Sequence, residues 1–408
     1  MIRKKRRVLM VLDGPYPPDP RVETEAIALA DAGFEVMLFC LKKNNSRPSE
    51  ESASFGQVRR ALISPLMHKL SALAYTVPLY HNWLAAKMRP VMEAFRPHVV
   101  HIHDMQSARG VFGAISGLAK NPKVVLDLHE NRPEIMRHYH HVNTLQGRLL
   151  ISPAAWKRAE ERYVNRADAV FVVTPEAKAE LQNRPNIAQD WVFVMPNTVS
   201  RQYALSAATL PEAESKMVGK QNILYLGDTG KRRGIETAIR AMAILRDDFP
   251  LAQLVLVGKS KSDDEYAALA ASLGIADRLI QEGWRFADLF PAYLRLAQVG
   301  ISPLHRNIHH DTTYANKLFQ YMAFGVPMVV SDCPPQVRIV RDHDCGLHHP
   351  ALDHPAMADC IRQLLSNSEF AQRLGQNGKK AIESTLCREN QTTELVDCYR
   401  LLTGEPLD

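Results

Sequence analysis

Residues 223–257, with the sequence ILYLGDTGKRRGIETAIRAMAILRDDFPLAQLVLV, form the stretch that decides the fold. It begins and ends with a short apolar run, 223–226 and 254–257, and the residues between them carry a glycine-rich loop followed by a helical pattern. A strand, a helix and a second strand in this order are typical of a parallel βαβ unit. The stretch therefore predicts an α/β fold with a parallel sheet.

Similar apolar, β-branched runs recur along the chain, with helical segments between them. Their near-continuous hydrophobicity predicts strands whose two faces are both covered by helices. They fall into two series, because Pro196-Asn197-Thr198 and the irregular polar segment 201–221 interrupt the pattern. The expected strands are 7–12, 35–40, 99–102, 124–128, 169–173 and 191–195 in the first series, and 223–226, 254–257, 279–281, 299–302 and 327–330 in the second.

Two series in 408 residues, 46% of them hydrophobic, predict two domains that each bury a full core. We place the domains at residues 1–198 and 199–408 and expect two Rossmann-like, doubly wound parallel-sheet domains that face each other across a cleft. The last helix, at about 389–402, has apolar residues at three- and four-residue spacing, so one of its faces must be buried. We expect this helix to pack back on the N-terminal domain.

The positive charge of the chain is concentrated in its first half. The net charge is +6, and residues 1–200 hold 27 lysines and arginines against 19 acidic residues. Such an excess favours contact with an anionic membrane surface or a phosphorylated acceptor, although ordinary solvated side chains explain it equally well. No nucleic-acid-binding motif accompanies the charge, so a nucleic-acid partner is not expected.

The sequence predicts a cytoplasmic protein, with peripheral contact at the inner face of the membrane as a further expectation. Six cysteines are scattered without a paired motif, which favours a reducing compartment. The basic start precedes only a short apolar run, 8–12, so no secretion signal is expected. The apolar segment 61–88 contains Pro65 and Pro78 and is too interrupted to span a bilayer. It is either a partly buried helix or an amphipathic face that touches lipid.

Ligands of doubly wound sheets bind beyond the carboxyl ends of the strands, where loops meet helix N-termini. After the first strand, Gly14 allows the backbone to approach a ligand, and Arg21 is placed to meet an anion. That loop lacks a GxGxxG motif, which argues against a nicotinamide-type dinucleotide site. In the second series, the loop 227–234 combines glycines with three successive cations ending at Arg233. This combination suits a diphosphate, and a solvated charge cluster is the alternative.

A second candidate phosphate site lies at residues 315–332, ANKLFQYMAFGVPMVVSD. The helix that begins near Asn316 offers free N–H groups and the positive end of its dipole to an anion, and Lys317 adds a full charge. Gly325 and Pro327 have a simpler interpretation, because they suit the end of that helix and the start of the next strand.

Five segments, taken in order, carry a resemblance to a known family: PPDPRVETEAIALADAGFEVMLFC (17–40), HVVHIHD (98–104), VVLDLHE (124–130), LGDTGKRRGIETAIRAM (226–242) and the segment 315–332. They resemble the family 4 glycosyltransferases, which have the GT-B fold. The similarity covers nearly the whole chain and is most specific in the last segment.

The resemblance implies an enzyme that moves a sugar from a nucleoside-diphosphate sugar, bound by the C-terminal domain, to an acceptor bound by the N-terminal domain. It also implies retention of the anomeric configuration and no divalent metal. His129 matches a histidine that relatives place close to the transferred sugar, and a structural histidine is the alternative. The expected site residues are His129 for catalysis and Gly14, Arg233, Lys259, Asp311, Asn316, Lys317 and Gln320 for donor binding.

This chain departs from the family pattern at the acidic positions of the donor site. Many relatives carry two glutamates where this chain has Thr312 and Gln320. The Gln320 amide can hydrogen-bond ribose hydroxyls, but a neutral group cannot stabilise a developing positive charge. Asp311, next to the first position, is the candidate for the missing carboxylate. In the phosphate loop, Asp228 stands where relatives frequently have arginine.

Two patterns resemble metal sites. His101 and His103 lie on one face of a strand, but a metal site needs a third converging ligand. The segment 342–344, Asp-His-Asp, precedes what reads as a surface turn, so no metal is expected there either. The polar loop after strand 299–302 supplies candidates for contacts to sugar hydroxyls or phosphate, namely His305, Arg306, His309 and His310.

We therefore predict a retaining glycosyltransferase of surface polysaccharide or glycolipid synthesis. Its co-substrate is a nucleoside-diphosphate sugar, its acceptor is a glycan or a lipid-linked molecule, and it has no cofactor. Two alternatives stay open. The first is a catalytically weak nucleotide-sugar-binding partner protein, suggested by Thr312 and Gln320, and the second is a GT-B epimerase that converts the donor alone.

Overall fold

The computed structural model describes residues 5–137, 142, 144, 147 and 151–406. The chain forms two compact units, Met1–Pro196 together with Gln391–Asp408 (unit 1) and Asn197–Asn390 (unit 2). Unit 2 is thus inserted into unit 1 along the chain, and the final helix is part of unit 1. Each unit contains one sheet with helices on both faces.

The sheet of unit 1 has eight strands in the order β3-β4-β2-β1-β5-β6-β7-β8. All neighbours pair in parallel except β3 and β4, which form an antiparallel hairpin at one edge. The strands are β1 (Arg7–Leu12), β2 (Glu35–Lys42), β3 (Glu50–Ala53), β4 (Gly56–Leu62), β5 (Val99–His103), β6 (Lys123–Leu128), β7 (Ala169–Val172) and β8 (Val192–Val194).

Helices cover both faces of this sheet, as the apolar strands require. In β1, for example, Val8 and Met10 enter one core and Leu9 and Val11 enter the other, because successive side chains of a strand point to opposite faces. The helices are α1 (Pro20–Asp31), α2 (Pro65–Leu70), α3 (Leu79–Phe95), α4 (Ala108–Ile115), α5 (Arg132–Met136), α6 (Pro153–Val164) and α7 (Pro175–Gln182).

The sheet of unit 2 has six parallel strands in the order β11-β10-β9-β12-β13-β14. The chain adds strands in one direction from β9 and in the other from β12, so the strand order reverses between these two neighbours. Ligands of open α/β sheets bind at such a switch point. The strands are β9 (Gln221–Leu226), β10 (Ala252–Val257), β11 (Leu279–Gly283), β12 (Ala297–Ser302), β13 (Met328–Ser331) and β14 (Gly346–His349).

The helices of unit 2 pack on both faces of its sheet and form two cores. They are α8 (Pro211–Met217), α9 (Ile235–Leu245), α10 (Asp263–Ser272), α11 (Phe290–Leu294), α12 (Ile308–Asp311), α13 (Lys317–Ala323), α14 (Pro334–Asp342), α15 (His354–Ser366) and α16 (Ser368–Ala381). A short helix α17 (Arg388–Gln391) then leads back to unit 1.

The last helix, α18 (Thr393–Thr403), buries an apolar face in unit 1. Leu395, Cys398 and Tyr399 lie in the same core as α1 and one face of β1. This helix therefore completes the cover on that side of the sheet.

The apolar segment 61–88 contains the end of β4, the short helix α2 and the first part of α3. Tyr80, Leu84 and Met88 of α3 are buried against the sheet, so this part is a packed helix of unit 1. Leu66 of α2 and Leu79 are exposed. No helix in the described part of the chain has both the length and the apolarity needed to cross a bilayer.

Candidate functional site

Three loops meet at the carboxyl ends of the central strands of unit 2. A Cβ atom at Gly258 would lie 1.8 Å from the Gly227 carbonyl oxygen, and one at Gly234 would lie 1.7 Å from the Pro303 carbonyl oxygen. The loops after β9, β10 and β12 therefore approach through bare backbone, which only glycine permits. Together they form the floor of a site at the switch point of the sheet.

The loop 227–234 contains the phosphate-site candidate Arg233. Gly234 has φ of 76° and begins α9, which places the turn Lys231–Arg233 directly before the helix. The Arg233 Nε atom lies 3.2 Å from the carboxylate of Asp228. Asp228, which stands where relatives frequently have arginine, therefore partly neutralises Arg233.

Lys317 carries the most unusual charge of the site. It is 8% exposed, and its Nζ atom lies 3.6 Å from the centre of the Tyr225 ring. Burial lowers the pKa of Lys317 well below its usual range, and the nearby positive charge of Arg233 lowers it further. Among the residues that the structure describes, no carboxylate lies within ion-pair distance of this ammonium group. A bound anion would supply the missing counter-charge.

The other predicted donor-binding residues of unit 2, and Thr312 beside them, differ in exposure and in contacts. Lys259 and Asn316 are exposed, after β10 and before α13 respectively. Asp311 is already engaged, because Arg306 donates two hydrogen bonds of 2.7 and 3.1 Å to its carboxylate. Gln320 is partly buried in α13, beside Tyr203. Thr312 is buried, and its hydroxyl donates to the Ile308 carbonyl at 2.7 Å. Donor binding by these residues stays a prediction.

The histidines after β12 lie inside the loop that they belong to. His310 is buried, and its Nδ1 atom lies 2.7 Å from the His305 carbonyl oxygen. Burial lowers the pKa of His310 to about 3, so its ring is neutral near pH 7. His309 is also buried. These contacts give the two histidines a role in shaping the loop, and the predicted sugar contacts stay a prediction.

Two exposed aromatic residues follow β11 and were missed from the sequence. Trp284 and Phe286 are 61% and 64% exposed, and their ring centres lie 4.4 Å apart. Aromatic faces at the carboxyl end of a strand suit stacking by a planar nucleobase. The sequence signal was the segment Trp284-Arg285-Phe286, which places two large aromatic residues shortly after a predicted strand.

At the carboxyl end of the unit 1 sheet, Arg21 is an interior residue. It is 6% exposed, and its Nε and Nη2 atoms donate to the two carboxylate oxygens of Asp127 at 2.7 and 2.6 Å. Its Nε atom also lies 3.0 Å from the Glu25 carboxylate. The interpretation of Arg21 as a ligand for an external anion is therefore wrong, because its positive charge is used inside the unit.

His101 and His103 join the same buried cluster. Their rings stack with centres 4.3 Å apart, and the Tyr399 hydroxyl lies 2.6 Å from the His101 Nδ1 atom. The His101 Nε2 atom lies 3.3 Å from Glu25. Burial lowers the pKa of both histidines, so they are held neutral. The final helix thus contributes directly to this cluster through Tyr399.

Together, Glu25, His101, His103 and Asp127 offer four potential metal-ligand atoms within 4.8 Å of one another. The converging ligands that the sequence pattern lacked come from α1 and β6. The bidentate guanidinium of Arg21, however, already binds the carboxylate of Asp127. A dication here would add positive charge to a site that contains a buried arginine, which is unfavourable at low dielectric. The expectation that no metal is required stays a prediction.

His129, the predicted catalytic residue, connects this cluster to the surface. Its side chain is 23% exposed, and its Nε2 atom lies 2.8 Å from Asp127. Burial opposes the charged ring, but the Asp127 carboxylate outweighs that effect and raises the pKa of His129. His129 is therefore a positioned histidine with an ionised partner, an arrangement that suits acid–base or electrostatic work.

Asp13 is a further candidate that sequence reasoning missed. It follows β1, accepts a hydrogen bond from the Tyr80 hydroxyl, and burial raises its pKa to about 6. Perturbed carboxyl groups of this kind occur often at functional sites. The adjacent Gly14 accepts a backbone hydrogen bond from Leu41 at 2.9 Å, and a Cβ atom there would meet only Leu12 at 4.0 Å. A side chain at position 14 would therefore meet no steric clash, so the surroundings do not require glycine there.

Comparisons with known proteins cover both units. The family described as "Glycosyltransferase Family 4" matches residues 21–203, and the family described as "Glycosyl transferases group 1" matches residues 208–381. An alpha-D-kanosaminyltransferase of Streptomyces kanamyceticus is 23% identical over 68% of this chain and 70% of its own length.

Solved structures show the same fold over nearly the whole chain. A sucrose-phosphate synthase of Thermosynechococcus elongatus has a TM-score of 0.78 at 19% identity, over 98% of this chain and 100% of that one. An E. coli protein described as "Trehalose-6-phosphate", bound with UDP-2-fluoro glucose, has a TM-score of 0.73 at 12% identity, over 98% and 99%. With the two parallel-sheet units and both family matches, these similarities establish that the chain belongs to the family 4, group 1 glycosyltransferases with the GT-B fold.

Proposed function

We propose that this chain transfers a sugar from a nucleoside-diphosphate sugar to an acceptor hydroxyl, with retention of configuration and without a divalent metal. Unit 2 binds the donor and unit 1 binds the acceptor. The observation that carries the proposal is the buried Lys317 ammonium without a carboxylate partner, at the strand switch point where three loops meet. A diphosphate has the charge to compensate it.

Other residues at the carboxyl edge of the unit 2 sheet also support donor binding there. The positive charge of Arg233 is close enough to Lys317 to lower its pKa. The Arg233 guanidinium is paired with the exposed carboxylate of Asp228, so a diphosphate would compete with that carboxylate for it. Trp284 and Phe286 offer a stacking surface for the nucleobase. A structural neighbour was solved with UDP-2-fluoro glucose, which supports a nucleotide sugar as the ligand class.

In the proposed reaction, the bond between the anomeric carbon and the diphosphate oxygen breaks, and a bond from that carbon to the acceptor oxygen forms on the same face. The acceptor proton passes to the departing phosphate, so no protein base is needed. Lys317 and Arg233 stabilise the charge that develops on the diphosphate, which is usually the largest contribution to such catalysis. The raised pKa of His129 allows its ring to stabilise negative charge on the acceptor side.

We assign the reaction to surface polysaccharide or glycolipid synthesis, on a glycan or lipid-linked acceptor at the cytoplasmic face of the membrane. The excess of basic residues in the first half of the sequence supports an anionic partner or surface. The family supports the reaction class.

The first experiment is calorimetric binding of UDP, GDP, ADP and dTDP and of their sugars to the purified protein. We expect one nucleotide series to bind, with the diphosphate far stronger than the nucleoside. Arg233→Ala should then weaken binding of the diphosphate and lower turnover, each by about 10- to 100-fold, which is the loss expected for one charge-assisted contact. Arg240→Ala, a change of a partly exposed arginine on α9 that pairs with Glu236, is the matched control. Binding of none of the nucleotides would contradict the proposal.

The alternative of a catalytically weak binding partner is favoured by one observation. Neither Thr312 nor Gln320 supplies a carboxylate, and Asp311 is held by Arg306. Turnover with a competent acceptor should therefore be compared between the wild type and Gln320→Glu. A large gain in the variant, from a wild type that binds donor but does not transfer, would support the binding partner instead.

A further inference from the structure

A basic cavity lies at the end of the unit 1 sheet opposite to Asp13 and His129. It has a volume of about 750 Å³ and is formed where the chain enters β1, β5 and β6. These are the amino-terminal ends of the strands, whereas Asp13 and His129 follow the carboxyl ends of β1 and β6. The cavity is therefore separate from the candidate site described above.

The cavity wall contains five cationic side chains and one carboxylate. Arg6 and Arg7 come from the start of β1, Arg96 from the end of α3, and Lys120 and Lys123 from the loop before β6, while Glu93 is the single acid. Three segments distant in the sequence thus bring positive charge to one concave surface, and the C-terminal helix closes it with Leu402 and Thr403.

Three of these cations, Arg7, Arg96 and Lys120, form no ion pair with a carboxylate of the described residues. Arg6 lies 3.1 Å from Glu405, and Lys123 lies 2.7 Å from Asp168. The Arg7 Nε atom donates to the Arg96 backbone carbonyl at 3.1 Å, and this hydrogen bond holds the Arg7 side chain along the cavity wall.

The backbone at Arg96 adds an independent observation. Its φ is 51° and its ψ is 62°, the left-handed region in which glycine costs least. At the position after a helix, glycine is the common residue, because any Cβ atom is unfavourable in this backbone conformation. Strained positions of this kind occur often at binding sites. Here the strain places a guanidinium on the cavity wall.

Much of the remaining wall is apolar, although His98, Asn121 and Thr403 also line it. Met92, Pro97, Leu118, Pro122 and Leu402 contribute to the apolar part, so the cavity combines a basic edge with a hydrophobic side. A ligand that matches both has a phosphate group on a less polar body. We propose that this cavity binds a phosphate ester through Arg96 and Lys120, as a second ligand site of unit 1. Such an ester is either a free phosphorylated molecule or the headgroup of an anionic lipid.

The test uses the full chain and two probes, inorganic pyrophosphate for the free source and phosphatidylglycerol vesicles for the headgroup. Vesicles of phosphatidylcholine alone are the control. Hydrogen–deuterium exchange identifies the site, because ligand in the cavity should protect residues 92–98 and 118–123. Protection at residues 227–234 would instead report the donor site, so the two proposals fail separately.

Two variants connect the protection to the proposed contacts. Lys120→Glu should weaken binding of the active probe about tenfold or more, as expected for reversal of a phosphate contact. Arg96→Gly removes the charge but suits the left-handed backbone, so binding should fall while the melting temperature stays or rises. Lys380→Glu, which makes the same charge change at an exposed residue of unit 2, should leave binding unchanged.

The probes also separate the two sources. Protection by pyrophosphate alone supports a free phosphate ester, and protection by phosphatidylglycerol vesicles alone supports a lipid headgroup. Protection of residues 92–98 and 118–123 by neither probe, or protection that is equal in Lys120→Glu and the wild type, would overturn the proposal. In that case Arg96 and Lys120 serve the carboxyl ends of α3 and α4, where cations are favourable.

Discussion

At the scale of single residues, the two units compensate their buried charges in opposite ways. In unit 1, the guanidinium of Arg21 is paired with Asp127 and contacts Glu25. In unit 2, the ammonium of Lys317 lies over the Tyr225 ring and near the positive charge of Arg233, and among the described residues no carboxylate is within ion-pair distance, although Asp228 acts on it from farther away. A closed network stabilises a core, whereas a buried charge without a counter-ion costs stability and is useful when a ligand supplies the missing charge.

Replacement of Lys317 by methionine should therefore stabilise the protein and abolish diphosphate binding. We expect the free energy of unfolding near pH 7 to rise by about 1–3 kcal/mol, the usual cost of an uncompensated buried polar group. The lowered pKa means that the unfolded chain binds a proton that the folded chain does not, up to the usual lysine pKa of about 10.4. The stability difference between variant and wild type should thus shrink as the pH rises toward about 10.

Urea denaturation at several pH values measures this difference, and nucleotide calorimetry measures the loss of binding. Lys259→Met, at an exposed predicted donor residue, is the control and should leave stability within about 0.5 kcal/mol. A Lys317→Met protein that is less stable than the wild type at every pH would show that the ammonium has a structural partner.

Asp127→Asn should have the opposite effect, because it breaks a compensated pair. The substitution keeps the shape of the side chain but leaves Arg21 with only Glu25, and burial raises the pKa of Glu25 well above its usual range. We expect a loss of about 3–5 kcal/mol in the free energy of unfolding, measured by chemical denaturation. Asp397→Asn removes a half-exposed carboxylate that lies 3.9 Å from the Arg400 guanidinium, and should cost at most about 1 kcal/mol. Equal costs would mean that Glu25 alone balances Arg21.

At the scale of elements, the sequence predicted the apolar strands well and the polar strands poorly. The strand β1 was predicted with its observed bounds, since it is apolar on both faces. The strands β3, β4 and β14 were missed, because EESA, GQVRRAL and GLHH lack a continuous apolar run. Hydrophobic patterns reveal burial, so strands that carry polar side chains leave a weaker signal.

The candidate sites were predictable only where neighbours in sequence are neighbours in space. The loop containing Arg233 and the segment containing Lys317 are local patterns, and both lie at the carboxyl edge of the unit 2 sheet. The cluster around Asp127 is not local, because Glu25 comes from α1 and Tyr399 from the last helix. Packing alone brings these groups together, and no spacing in the sequence reveals it.

The junction between the phosphate loop and α9 gives a test at this scale. Gly234 and Gly404 both have a left-handed backbone, with φ of 76° and 68°, but only Gly234 faces a close neighbour. Gly404→Ala should cost about 1 kcal/mol, the usual price of a left-handed alanine. Gly234→Ala adds a clash with the Pro303 carbonyl oxygen, so it should cost about 2–5 kcal/mol.

Thermal denaturation and donor binding check this difference. The larger loss at Gly234 should be accompanied by weaker diphosphate binding, because the clash moves the loop that holds Arg233 away from Pro303. Gly404→Ala should leave donor binding unchanged. Equal destabilisation by both changes would indicate that the loop after β12 moves freely and that the close approach does not define the site.

At the scale of the whole molecule, the chain closes unit 1 with its last segment after it has completed unit 2. Leu395, Cys398 and Tyr399 of α18 cover one face of the unit 1 sheet, and the Tyr399 hydroxyl reaches His101. A fragment of residues 1–196 would therefore expose an apolar face and lose one contact of the buried cluster. We expect such a fragment to be poorly folded and prone to aggregate.

A circular permutation should restore unit 1 without unit 2. The Arg6 Nε atom lies 3.1 Å from the Glu405 carboxylate, so the two ends of unit 1 are adjacent in space. A protein in which residues 391–406 precede residues 5–196 through a short glycine-serine linker should fold cooperatively, because it keeps the helix beside its own core. Circular dichroism and urea denaturation would compare the stability of the permuted protein with that of the fragment 1–196. A second variant, Tyr399→Ala in the permuted protein, removes the largest buried side chain of α18. We expect that variant to lose about 3–5 kcal/mol. If the fragment 1–196 is as stable as the permuted protein, α18 does not complete the core of unit 1.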